Sequence, residues 1–197
     1  INRIVHGTTI GTNSILQRQG AKTAIVTTRG FRDLLEIGRT RRMVPNTLFD
    51  LSFQKPAPLV PRPLRFDINE RIMATGEVLE PLDQQSVQKV ADLLKNEDVT
   101  AVAICFLHSY VNSDHELLTR KILKESLPDV YVSISSEIVP EYREFERLTT
   151  TVLNAFIGPT LDSYLSRLEE SISQRDPSTK LFIMASNGGM ATVNRMR

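Results

Sequence analysis

The residues best suited to chemistry near the start of the chain are the two glycines and three threonines of residues 6–13. Glycine lets backbone amides approach a ligand closely, and hydroxyl groups together with helix N-terminal amides bind anions. No lysine follows the second glycine, so this segment is not a Walker phosphate loop. It either binds a nucleotide or substrate or is a plain helix cap with turn glycines. The binding interpretation names these site residues: His6, Gly7, Thr8, Thr9 and Asn13.

A second glycine-bearing segment, Ser186-Asn187-Gly188-Gly189, directly follows a predicted strand at residues 180–185. In open α/β sheets, ligands bind at the carboxyl ends of strands. A Gly-Gly turn at such a place presents bare amides to a phosphate or carboxylate. The alternative is an ordinary turn.

A third candidate is a polar stripe on the helix predicted after Pro140. At 100° per residue four polar residues share one face, and apolar residues lie opposite. The stripe consists of Arg143, Arg147, Thr150 and Asn154. We expect Arg143 and Arg147 to face a cleft or domain junction and to bind an anionic ligand, with little effect of Arg147→Ala on folding stability. Alternatively, Glu141 and Glu144 neutralise the arginines in surface pairs.

Other reactive side chains favour structural interpretations. Ser113 and Glu116 have the spacing of a capping box, which makes His115 a residue of a helix start, and no spacing is diagnostic of a metal site. Cys105 lies inside an apolar run and should behave as a small hydrophobe. The basic run 39–42 is expected to be solvated.

The elements that position these residues alternate between strand and helix periodicity, which predicts an α/β fold with a mixed, largely parallel sheet and flanking helices. The continuous apolar run 99–107 is typical of a strand buried on both faces. Residues 64–68 and a short strand near Val78 suggest a hairpin or antiparallel edge. The predicted strands are 21–28, 64–68, 99–107, 131–134 and 180–185, and the predicted helices are 31–37, one capped by Asp83, 113–123, 140–157 and 160–174, with a proline-rich loop at 39–63.

Composition excludes several classes of protein. The 197 residues suit one ordinary domain or two small ones, and 41% apolar residues can form a core. A net charge of +1 is too small for the basic field of a nucleic-acid-binding protein. The longest wholly apolar run, 101–107, is far shorter than the roughly 20 residues that cross a bilayer. One cysteine and no signal peptide favour a cytoplasmic protein, and the initial Ile1 suggests a start partway into a longer one.

Taken together and in order, several segments resemble the N-terminal region of the hydantoinase A / 5-oxoprolinase family. They are HGTTIGTNSILQRQGAKTAIVTTRGFRDLLEIGR (6–39), RFDINERI (65–72), GEVLEPLD (76–83), VAICFLHSYVNSDHE (102–116), SSEIVPEYREFERLTTTVLNAFIGP (135–159) and IMASNGG (183–189). The resemblance implies an N-terminal domain over 1–182 and the start of the following hydantoinase A domain at 183–197. It also implies ribonuclease-H-like subdomains of the actin and sugar-kinase type.

The resemblance further implies the chemistry. Such proteins use ATP and Mg²⁺ to open cyclic amides such as hydantoin, N-methylhydantoin or 5-oxoproline, with a hydantoinase B-type subunit or domain as a possible partner, and an oligomer is expected. Alternatives are the ATP-binding subunit of an acetone- or acetophenone-type carboxylase and a non-catalytic interaction domain. The family's D-x-G-G-T-F-T-D loop is absent here, so we expect these 197 residues alone to be inactive and to self-associate through exposed apolar surface.

Overall fold

The structure is a computed structural model that describes residues 2–39, 52, 54, 56–185 and 188–196. These residues form two compact units. The first comprises Ile1–Ala21 and Ile157–Arg197, and the second comprises Lys22–Phe156. The domain boundary predicted at 182/183 rests on the family resemblance and not on compactness, so it stays a prediction.

The second unit is built on a parallel sheet whose strands, among the described residues, run in the order β3-β2-β6-β7. The strands are β2 (Thr23–Thr28), β3 (Arg65–Ile68), β6 (Ala101–Cys105) and β7 (Tyr131–Ile134). Val26 lies between Phe66 of β3 and Ile104 of β6. Every residue of β2 and β6 is buried, as expected for strands covered on both faces. The predicted α/β class and largely parallel pairing are confirmed.

Two helices of this unit follow their sequence signals closely. α3 (Gln84–Asn96) begins at Asp83, whose carboxylate accepts from the amides of Gln85 and Ser86, and its buried face is Val87, Val90, Ala91 and Leu94. α2 (Leu34–Ile37) ends at Gly38. This unit also contains α4 (Asp114–Ser126), α5 (Ser135–Ile138) and the first part of the long helix α6 (Glu144–Arg175).

One strand pairing differs from the sequence prediction. The hairpin joins β4 (Arg71–Ile72) to β5 (Val78–Glu80), whereas residues 65–68 pair in parallel with β2. The expectation of a hairpin between 64–68 and Val78 was therefore wrong. Period-two alternation reveals a strand but not its partner, which long-range packing selects.

The first unit contains β1 (Arg3–His6), α1 (Ile10–Leu16), β8 (Lys180–Met184), β9 (Met190–Thr192) and α7 (Val193–Met196). Within the described residues its strand order is β1-β8-β9, with β1 and β8 parallel and β8 and β9 antiparallel. The core of this unit consists of Leu165, Leu181, Ile183 and Val193.

α6 (Glu144–Arg175) is one continuous helix that contains Pro159. The predicted break at Gly158-Pro159 and the predicted start at Pro140 were therefore wrong. Proline removes one amide donor and costs about 3 kcal/mol in a helix interior. Buried side chains lie on either side of this position, including Val152, Phe156 and Leu165. Their packing offsets the local cost of the proline.

The predicted proline-rich loop falls partly outside the described residues, at 40–51, 53 and 55. Residues 56–61 have neither helix nor strand, and a short 3₁₀ turn at Arg62–Leu64 leads into β3. Among the described residues, no helix is long and apolar enough to cross a membrane.

Candidate functional site: two glycine-bearing loops and a buried polar network

The first unit brings two of the three sequence candidates to one edge of its sheet. β1 and β8 are parallel neighbours, and His6 pairs with Ile183. The chain therefore leaves β1 at Gly7 and β8 at Ala185 from the same edge of the sheet, side by side. A Cβ added to Gly7 would lie 3.5 Å from the Met184 methyl group, which is ordinary contact. Carboxyl ends of adjacent parallel strands are where ligands bind in α/β folds.

The polar groups of the first loop are partly engaged by the loop itself. The Nε2 atom of His6 lies 2.6 Å from the Tyr164 hydroxyl. The amide of Ile10 donates to Thr8 Oγ1 at 3.3 Å, and Asn13 Nδ2 donates to Thr9 Oγ1 at 3.3 Å. His6 is thus anchored to α6, and the hydroxyl groups order the turn into α1.

The second loop has an open backbone position. Gly188 has a φ of +83°, and a Cβ built there would meet nothing within 4 Å. Its amide donates to the carbonyl of Ala185 at 2.9 Å, and the amide of Ala185 donates to the carbonyl of Gly189 at 2.8 Å. Ser186 and Asn187 lie outside the described residues. The left-handed conformation and the free space both suit close approach of a ligand to the backbone.

The predicted arginine stripe does not form one ligand-binding face. Arg143 is exposed, precedes α6 and packs its guanidinium over the Tyr142 ring at 5.1 Å. Arg147 is 1% exposed and donates to the backbone carbonyls of Glu141, at 3.1 Å, and Phe106. The expectation that both arginines face a cleft or domain junction does not hold for exposed Arg143, and the buried contacts of Arg147 argue against the expected small effect of Arg147→Ala on folding stability. Helical periodicity predicts which residues share a face of a helix, but it does not predict which face packs against the core.

The other two stripe residues are held within the second unit. Thr150 is exposed and donates its hydroxyl to the carbonyl of Glu146 at 2.9 Å. Asn154 is half-buried, and its Nδ2 donates to Ser133 Oγ on β7 at 2.9 Å. Their hydrogen bonds secure α6 and its contact with the sheet.

Glu116 is a buried polar residue that the sequence analysis misplaced. Its carboxylate is fully buried and accepts from the Phe106 amide at 2.9 Å, the Ser135 hydroxyl at 2.6 Å and the Ser136 amide at 2.9 Å. Ser113 makes no side-chain cap bond, so the predicted capping box was wrong. Glu116 instead joins the carboxyl end of β6 to the junction of β7 and α5.

A second buried carboxylate, Glu70, follows β3. It accepts from the Thr28 hydroxyl, and its Oε2 lies 2.8 Å from His115 Nδ1. Thr28 Oγ1 also accepts from the Leu107 amide at 2.9 Å, which links the ends of β2 and β6. The sequence analysis missed these contacts because Thr28 and His115 lie 42 and 45 positions from Glu70 along the chain. The only sequence signal was their presence in the segments RFDINERI and VNSDHE.

The remaining reactive groups are structural. Burial raises the pKa of the Cys105 thiol to about 11, so it stays a neutral thiol, as expected of a small hydrophobe. Within the described parts of the chain, no group of three or more His, Cys, Asp or Glu side chains could hold a metal ion.

Two family models match the sequence. The model of the hydantoinase/oxoprolinase N-terminal region matches residues 1–127, and the hydantoinase/oxoprolinase model matches residues 147–197. The chain belongs to the hydantoinase/oxoprolinase family.

Relatives within this family cover almost the whole chain. An uncharacterized Methanocaldococcus jannaschii protein is 42% identical over 98% of the chain. The caprolactamase subunit alpha of Pseudomonas jessenii is 33% identical over 95% of it, and a Dictyostelium discoideum 5-oxoprolinase is 28% identical over 100%. The chain spans only 28%, 27% and 17% of the lengths of these relatives.

Two solved structures share the fold. The crystal structure of ATP-dependent caprolactamase from Pseudomonas jessenii matches with a TM-score of 0.87 and 32% identity, covering 96% of this chain and 27% of that one. A nucleotide-free acetone carboxylase structure matches with a TM-score of 0.86 and 26% identity, covering 97% of this chain and 28% of that one.

Proposed function

We propose that this chain forms part of an ATP-dependent enzyme that opens a cyclic amide. The observation that carries the proposal is the pair of glycine-bearing loops at the ends of β1 and β8, in a family whose members include an ATP-dependent caprolactamase and a 5-oxoprolinase. A hydantoin, N-methylhydantoin or 5-oxoproline ring is the substrate class in this proposal.

The proposed site consists of these two loops. Gly188 leaves open space for a ligand beside the loop backbone, Gly7 carries no side chain directly after β1, and His6 is held by Tyr164 at the start of the first loop. Exposed Arg143 stays a predicted ligand-binding residue, while Arg147 and Asn154 support α6. The loop residues of the proposal are His6, Gly7, Thr8, Thr9, Asn13, Ser186, Asn187, Gly188 and Gly189.

The chemistry explains why such an enzyme needs phosphate cradles. An amide carbonyl is a poor electrophile, and transfer of the γ-phosphoryl group of ATP to its oxygen makes the carbon reactive enough for water to add. The ring C–N bond then breaks with a proton going to the nitrogen, and hydrolysis of the acyl phosphate that remains releases inorganic phosphate, so ring opening is coupled to ATP. Backbone amides aimed at phosphate oxygens stabilise the charge that develops during transfer. In this proposal Mg²⁺ would accompany the nucleotide and neutralise part of the charge on its phosphates.

An acetone- or acetophenone-type carboxylase is the second candidate, since the acetone carboxylase structure shares the fold over 97% of the chain. In this proposal either enzyme would be an ATPase of the actin-like type. A hydantoinase B-type subunit is the proposed partner, supported by the subunit name of the caprolactamase relative. We expect the assembly to act in the cytoplasm, where its lone cysteine stays reduced.

The test is ATP turnover by the intact protein with its partner subunit. ADP release is measured with hydantoin, N-methylhydantoin, 5-oxoproline or caprolactam, and separately with acetone or acetophenone plus bicarbonate. Turnover stimulated by a cyclic amide supports the hydrolase, and turnover that needs the ketone and bicarbonate supports the carboxylase. Absence of both contradicts the proposal and favours a non-catalytic interaction domain.

A matched pair of variants locates the site. Gly188→Val and Gly30→Val both place a β-branched residue at positive φ with free space around it, so the backbone strain is comparable. We expect Gly188→Val to lower ATP turnover by about tenfold or more, because a side chain would fill the open space through which a ligand approaches the loop backbone. Equal activity of the two variants would show that the second loop plays no part.

A further inference from the structure

The topology of the second unit defines where another ligand would bind. In the order β3-β2-β6-β7, strand β2 lies between β3, the next strand along the chain, and β6. This is the arrangement of flavodoxin-like sheets, in which ligands bind outside the carboxyl ends of the strands where the order reverses. Thr28 and Arg29 occupy that end of β2.

A small cavity of about 190 Å³ lies at the carboxyl end of β2, on the side of β3. Its lining combines one residue that ends β2, the loop after β3 and the hairpin of β4 and β5. The lining residues are Thr28, Arg29, Glu70, Arg71, Leu79 and Glu80. A volume this size admits a small molecule or a single charged group of a larger one.

The two arginines of the cavity have no carboxylate partner among the described residues. Arg29 donates to the neutral amide oxygen of Asn69 at 3.3 Å. The Arg71 guanidinium lies over the Phe31 ring, 5.4 Å from its centroid. Other arginines of this unit contrast with them, since Arg62 pairs with Asp33 and Arg120 pairs with Glu137. Arg29 and Arg71 therefore line one cavity without an ion-pair partner among the described residues, and Glu80, the cross-strand neighbour of Arg71, lines it as well.

The buried carboxylate beside them is already occupied. One oxygen of Glu70 accepts from the Thr28 hydroxyl, and the other lies 2.8 Å from His115 Nδ1. A buried carboxylate with both oxygens bonded has little capacity left to bind a cationic ligand. Apart from the exposed carboxylate of Glu80, the hydrogen-bonding groups left in the cavity are guanidinium donors, which match carboxylate and phosphate oxygens.

We propose that this cavity binds a small oxyanion, a phosphate or carboxylate group, through Arg29 and Arg71. The site lies in the second unit, whereas the glycine-bearing loops lie in the first, and it does not depend on the proposed enzymatic function. Glu70 shapes its buried wall and orders Thr28 behind it.

The experiment is an NMR titration of the protein with inorganic phosphate and, separately, with acetate, following the backbone amides of residues 28–30 and 70–72. We expect saturable shifts of these amides with at least one of the two anions, and the stronger ligand identifies a phosphoryl or a carboxylate source. Arg29→Gln/Arg71→Gln should weaken binding at least about tenfold, since two charge-assisted contacts are lost.

Control variants make the result specific. Arg120→Gln removes an arginine outside the cavity and should leave the affinity within about twofold. Glu80→Gln removes an exposed negative charge from the lining and should strengthen binding about twofold or more. Gly188→Val should leave these shifts unchanged, which separates the cavity from the loops of the first unit.

Two outcomes would overturn the proposal. One is the absence of saturable shifts with either anion in the unaltered protein. The other is equal affinity of the double arginine variant and Arg120→Gln, with both folded by circular dichroism. If Arg71→Gln alone fails to fold because Phe31 loses its cover, the exposed Arg29→Gln variant decides, and an unchanged affinity there also contradicts the proposal.

Discussion

Replacing Arg147 with alanine should destabilise the second unit strongly, while the same change at Arg143 should have little effect. The two arginines lie four positions apart, and helical spacing alone makes them equivalent. Arg143 is exposed, whereas Arg147 is buried and donates to the carbonyls of Glu141 and Phe106. Glu116 accepts from the amide of the same Phe106. Buried Arg147 therefore binds the carbonyl of Phe106, the residue that follows β6, and buried Glu116 binds its amide.

The magnitude follows from these contacts. Each hydrogen bond from a charged donor contributes about 1.5–3 kcal/mol, and Arg147 donates two of them to backbone carbonyls that would be left without this partner. These contributions overlap, so we expect Arg147→Ala to lower the free energy of unfolding by about 3–5 kcal/mol. For a chain of this size that corresponds to a Tm lower by about 6–20 °C. Arg143→Ala should change the free energy by about 0.5 kcal/mol or less.

Thermal unfolding followed by circular dichroism measures the difference, and hydrogen exchange locates it at the end of β6. Arg147→Lys keeps the charge but loses the planar fork, and its stability should fall between those of the unaltered protein and Arg147→Ala. If Arg147→Ala and Arg143→Ala have Tm values within about 2 °C of each other, the structural role assigned to Arg147 is wrong.

Three further results are expected. Glu116→Ala should lower the free energy of unfolding by about 3 kcal/mol or more and expose the Phe106 amide to hydrogen exchange, whereas Glu125→Ala, at an exposed position of the same helix, should change neither. Asp83→Ala removes the N-cap of α3 and should cost about 1 kcal/mol in denaturant unfolding, against no measurable cost for exposed Asp92→Ala. Because burial raises the pKa of Cys105 from 9.0 to about 11, its contribution to stability is complete below pH 9 and is lost as the pH rises towards 11; a Cys105→Ala variant with the same alkaline stability profile would contradict this.

Local signals predicted several elements correctly because their causes are local. The Asp83 cap and the apolar face of α3 follow from a capping residue and helical spacing. The apolar run around β6 predicted a strand buried on both faces, and all five of its residues are buried. Gly38 ends α2 at the expected residue.

Local signals failed where two solutions satisfy the same pattern. Ser113 and Glu116 have capping-box spacing, yet Glu116 is worth more to the fold as the acceptor of two buried amides. Pro159 should end a helix, but the packing of flanking buried residues keeps α6 continuous. In both cases a contact distant in sequence outweighs a local preference.

The sequence by itself determined the α/β class, the family and the two glycine-bearing segments, because these depend on composition, periodicity and ordered motifs. Only the tertiary structure decided that His6 and Ile183 lie side by side, that Glu70 contacts His115, and that Arg147 rather than Arg143 is buried. The physical reason is that hydrogen bonds and burial depend on distances between residues 40 or more positions apart. Such distances are set by the pairing of strands and the packing of helices, which no local pattern encodes.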